Sequence, residues 1–137
     1  MDVSYKKAAA APRRWALTIY LTLASLIFLG ILSQGFLIGA LLFAGASWAG
    51  DAHALGGLIV LILALLLPLA GLLARLPGRL IILSAVLFAL TLIQVILPNL
   101  SDSVPFAAAF HPTNAMLLFG LTLLLLIQGW RLRQRGA

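Results

Sequence analysis

Four long apolar stretches, separated by short polar or basic breaks, dominate the hydropathy pattern of this chain. Each is long enough for a bilayer core, which takes about 20 helical residues. The pattern predicts spans over about 15–44, 53–74, 80–97 and 112–130, after a basic lead at 1–14 and before a basic tail at 131–137. The first stretch is longer than a bilayer needs, so a tilted helix, or a break near Gly35 or Gly39 with an interfacial continuation, is expected. Pro68 should kink the second span, because it removes a helix hydrogen bond. Residues 45–52 and 98–110 read as loops on one side. Arg75-Leu76-Pro77-Gly78-Arg79 reads as a tight turn on the other, making spans two and three antiparallel neighbours. The fold class expected is an all-α integral membrane protein, a four-helix up-down antiparallel bundle.

Composition agrees. The chain is 64% hydrophobic and 9% charged, where a soluble domain carries about a quarter charged residues. The first apolar run is too long for the roughly 7–15 residues of a signal-peptide core, so no removed leader is expected. The net charge of +6 belongs to residues flanking the spans, which assigns it to topology and not to nucleic acid. Lys6, Lys7, Arg13, Arg14, Arg75, Arg79, Arg131, Arg133 and Arg135 all fall on one side of the four-span reading. The positive-inside rule makes that side cytoplasmic, with both termini inside a bacterial inner membrane. Without cysteine, thiolate metal sites, iron–sulfur ligation and covalent haem attachment are excluded.

Polar groups inside apolar spans are costly and face the bundle interior. The only two histidines, His53 and His111, open spans two and four, which run parallel. Gln34 and Gln94 lie late in spans one and three, and Asn114 shares the face of His111 one turn inward. These five residues form one outer polar layer. Two histidines on diagonal helices are the donor set for a bis-histidine haem b, whose iron takes an imidazole from each face. Gly56 and Gly57 leave room for a large ring or another helix. Asp51 and the two glutamines are candidates to hold the imidazole N–H groups and fix the tautomer. A plainer reading uses the same residues: solvated histidines at helix ends, small residues for packing, and Asn114, Gln34 and Gln94 as interhelical hydrogen bonds. Quinone or lipid binding in that layer, or a single-ligand pigment, are further readings.

Other chemistries fit less well. Zinc wants three or four ligands, and only His53, His111, Asp51 and Asp102 lie on the outer side. Ser47, Ser101 and Ser103 belong to no nucleophile motif. No acid lies inside any span, against what an ion transporter usually carries.

Asp51-x-His53-x-x-x-Gly57, the Arg-Leu-Pro-Gly-Arg turn, Gln94, and His111-Pro-x-Asn114-Ala115 before a Leu-Leu-Phe-Gly helix occur in this order. In them the chain resembles, over about residues 15–130, a family of small four-span bacterial membrane proteins of unknown function. More distantly, it is similar to one four-helix half of the haem A synthase family, which carries histidines on its second and fourth helices. That resemblance implies axial ligation of haem b by His53 and His111. The single bundle and the lack of a carboxylate within a span speak against the synthase reaction itself. Gln34, Gln94, Asn114 and Gly57 complete the expected site. The function expected is electron transfer or haem handling and not enzymatic turnover, in the lipid bilayer, with a quinone, a second copy or a larger membrane complex as partner. The rival is a cofactor-free accessory subunit.

Overall fold

The computed structural model describes residues 13–135, so the lead up to Pro12 and the last two residues lie outside the described part. The elements are α1 (Arg14–Ala44), α2 (Trp48–Leu73), α3 (Gly78–Ile96), a 3-10 turn (Leu97–Leu100), the one-turn helix α4 (Pro105–Ala108) and α5 (Phe110–Arg135). Four helical segments are long and apolar enough to cross a membrane, which makes the chain an all-helical, multi-pass membrane protein.

The helix ends follow local chemistry. Gly45, in the left-handed region at φ 64, closes α1, and the Ala46 N–H turns back to the Ala40 carbonyl. At the end of α2, Arg75 takes the left-handed position at φ 55, with Leu76 N–H bonded to the Gly71 carbonyl. Pro77 then starts α3, giving the tight basic turn expected from the sequence. Both connections are short, so successive long helices run antiparallel, and Arg13 at the start of α1 donates to Ala74 at the end of α2.

Of the two forms expected for the first span, the unbroken one is found: α1 is one continuous helix of 31 residues, with no break at Gly35 or Gly39, and glycine in a membrane helix is tolerated. Two boundaries differ from the hydropathy reading. α2 begins at Trp48, so the first connection is a three-residue turn. α5 continues through the basic tail to Arg135, since arginine is a good helix former and favours a helix C-terminus. The helix of α2 also runs on through Pro68.

Around the bundle α1 lies against α2 and α5, and α3 against α2 and α5. The diagonals, α1–α3 and α2–α5, have no close backbone approach. The interior mixes large apolar side chains with small and hydroxyl-bearing ones: Ile27, Leu67, Leu87 and Leu125 are fully buried beside Ala24, Ala64, Ser84 and Thr122, while further Leu, Ile and Phe line the outside. In lipid there is no hydrophobic force between helices, so close packing of small residues drives association. The buried hydroxyls of Ser84, Thr91 and Thr122 bond the carbonyl four residues back (2.8, 2.8 and 2.7 Å) and so leave no unpaired group.

At the arginine-rich end the centre is filled by Tyr20 of α1, which is fully buried. Its hydroxyl meets Ser84 of α3 at 2.9 Å across one diagonal. Its ring occupies the other diagonal, between Gly71 of α2 and Gly129 of α5; a Cβ on either glycine would stand 3.5 Å from it.

Candidate functional site

At the opposite end the α2–α5 diagonal is bridged by the two histidines. His53 stands in the second turn of α2 and His111 in the first turn of α5, and both are partly buried. Their ring centres are 6.1 Å apart, with the planes tilted by 58°. From Gln34 back to Arg14, and from His111 on to Arg131, the helices rise about 30 Å. That is the thickness of a bilayer core, which puts the histidine layer at its far boundary.

Each ring is held in the same way. His53 Nδ1 lies 3.3 Å from the Gln34 carbonyl of α1, and His111 Nδ1 lies 3.0 Å from the Gln94 carbonyl of α3. A carbonyl only accepts, so Nδ1 carries the proton of both hydrogen bonds, and in the neutral ring that leaves the lone pair on Nε2. The two helical hairpins thus repeat one device: the backbone carbonyl of a glutamine on the first helix orients a histidine near the start of the second.

The glutamine side chains then differ. Asn114, three residues beyond His111, donates through Nδ2 to the Leu90 carbonyl at 2.9 Å and to Gln94 Oε1 at 2.7 Å. The position three beyond His53 is Gly56. The Gln34 amide lies against it, so that a Cβ there would collide with Gln34 Nε2. Gln34 Nε2 is buried and has no hydrogen-bond partner. An unpaired buried donor costs about 1–3 kcal/mol, which makes this the one strained polar group of the layer.

Gln34, His53, Gln94, His111 and Asn114 therefore come together as the sequence pattern suggested, but in different roles. Backbone carbonyls of the glutamines, not their side chains, hold the imidazoles. Asp51 is exposed and bonds neither ring among the described residues. A Cβ on Gly57 would only graze Gln34 Oε1, at 3.7 Å, and the close approach falls on Gly56, to an α1 side chain. Tyr20 and Gly129, which seal the other end of the same gap, were not singled out by sequence reasoning. Among the described residues no group of three or more His, Cys, Asp or Glu side chains converges on a point, so the layer offers two nitrogen donors and no zinc-type ligand set.

Fold and site together define a multi-pass four-helix protein with a two-histidine layer at one membrane face. The pattern of a family described as "Family of unknown function (DUF6220)" matches residues 34–100. The match opens at Gln34, takes in His53, Gly56 and Gln94, and stops before His111 and Asn114. It is shorter than the resemblance over 15–130. No curated protein matches the chain, and no solved structure does. None of these comparisons supports the similarity to one half of the haem A synthase family.

Proposed function

We propose that the histidine layer binds one haem b between α2 and α5, with His53 Nε2 and His111 Nε2 as axial donors. The observation that carries this is the 6.1 Å separation of the ring centres. Two imidazoles on opposite sides of one metal, each bonded at about 2 Å, have ring centres about 6 Å apart. The hydrogen bonds at Nδ1 leave Nε2 as the free donor on both rings, and a carbonyl at Nδ1 raises the basicity of that donor. The α2–α5 diagonal has no close backbone approach, so a planar group placed there would meet side chains and not the backbone. When bound, the haem supplies one-electron chemistry. The chain's own residues fix the ring tautomers, hold the helices at the required spacing and keep the inner half of the gap closed with Tyr20.

In this reading the arginine-rich end is cytoplasmic, the histidines face the outer side of a bacterial inner membrane, and both termini are inside. With both axial positions taken, the role is electron transfer or haem handling, with a quinone or a larger membrane complex as partner. A quinone held directly in the layer is the second reading. The unpaired Gln34 Nε2 favours it, because that donor suits a carbonyl oxygen.

The test is an oxidised-minus-reduced absorption spectrum of detergent-purified protein made with ample haem supply. Sharp reduced α and β bands are expected in wild type and are lost in both His53→Ala and His111→Ala. A colourless wild type sinks the haem reading. In such a preparation, retention of an added quinone that Gln34→Leu abolishes supports the second.

A further inference from the structure

The arginine-rich end carries a second site, unrelated to the histidines. Between α3 and α5 lies a cavity of about 210 Å³, lined by Arg79, Gln128, Arg135, Leu80, Leu83 and Leu124 among others. Arg79 sits in the first turn of α3 and Arg135 in the last turn of α5, so two guanidinium groups from different helices share one opening. Among the described residues no carboxylate lines it. The acids of the described residues, Asp51 and Asp102, are at the other end of the bundle. Neither Arg79 nor Arg135 makes a hydrogen bond or ion pair among the described residues. Two unpaired like charges around one cavity repel each other, and an anion between them removes that repulsion.

The wall of the cavity selects the kind of anion. Below the arginines the wall is apolar: Leu80 is its buried floor, and Leu83 and Leu124 carry it toward the outer surface of the bundle, where Leu124 is exposed. Gln128 lies on the same wall and offers an amide donor between charge and hydrocarbon. A ligand that fits has an anionic head at the membrane boundary and acyl chains running along the bundle. Basic pockets between transmembrane helices take such headgroups. We infer that the α3–α5 cavity binds an anionic phospholipid, with Arg79 and Arg135 clamping its phosphate and Gln128 bonding the adjoining ester region.

The experiment uses the full-length chain in detergent micelles, with thermal unfolding followed by tryptophan fluorescence. Added phosphatidylglycerol is expected to raise Tm by about 5 °C over added phosphatidylcholine. Arg79→Gln/Arg135→Gln should lose most of that shift while keeping the wild-type Tm in phosphatidylcholine, since both side chains are exposed. The pair Arg75→Gln/Arg133→Gln removes the same charge outside the cavity and should keep the shift. Full protection retained by the first pair, or lost equally in the second, overturns the site. Inorganic phosphate protecting as well as the lipid overturns the lipid assignment in favour of a free anion.

Discussion

At the residue scale, three positions carry the site's asymmetry: Gln34, Gly56 and Asn114. The Gln94 half is complete in itself, because Asn114 satisfies the glutamine. The Gln34 half is incomplete by one donor. Replacing Gln34 by Met removes an unpaired buried donor at similar volume. We expect the ligand-free protein to gain about 1 kcal/mol, read as a higher Tm without added haem, while retention of haem or quinone weakens. Gly56→Ala should act oppositely on geometry. Its methyl displaces the Gln34 amide, and the displaced segment carries the carbonyl that orients His53. Reduced-haem bands should broaden or fall several-fold while those of a Gly57→Ala variant stay near wild type, because Gly57 has room for a methyl. None of this was legible in the sequence beyond the residue types. A backbone carbonyl as acceptor leaves no signature in the residue that owns it, and a glycine does not announce which neighbour leans on it.

At the scale of elements, α1 does most to hold the bundle, touching α2 along its length and reaching both diagonals' centres. Its apolar contact with α2 is close at Gly30, where a Cβ would stand 2.6 Å from Val60 Cγ2. Valine is β-branched and stiff, so Gly30→Ala should cost about 1–3 kcal/mol by overpacking, measured by thermal or denaturant unfolding in detergent. Tyr20→Phe should cost only about 1 kcal/mol, since Ser84 keeps its bond to Leu80. Tyr20→Ala empties the centre and should cost about 3–5 kcal/mol. The four spans were readable because apolar length is a one-dimensional signal. Tyr20 was not, for it looks like an ordinary aromatic near a helix start. Its burial depends on Gly71 and Gly129, which are far from it in sequence and adjacent only after three helices assemble. The end of α5 was misread for a related reason: hydropathy marks where lipid stops, and the helix goes on into the basic residues beyond.

At the scale of the whole molecule, every described cation of the helix ends lies at one face and both described acids at the other. The chain has no cysteine, so single cysteines report topology without background. Ser103→Cys should react with an impermeant maleimide in intact cells. Gln134→Cys should react only after the membrane is broken. The reverse labelling would invert the orientation proposed for the histidine layer and place it on the cytoplasmic side.

Between the two histidine rings and the arginine-rich end the bundle is shut along its length and is not a tube. At the level of Tyr20 an aromatic side chain is pressed between two glycines, and from there toward the rings Ile27, Leu67, Leu87 and Leu125 are fully buried. A ligand can therefore enter and leave from one aqueous compartment, and protons have no wet column to follow across the membrane. A cell can make much of this protein without discharging the ion gradient that powers it.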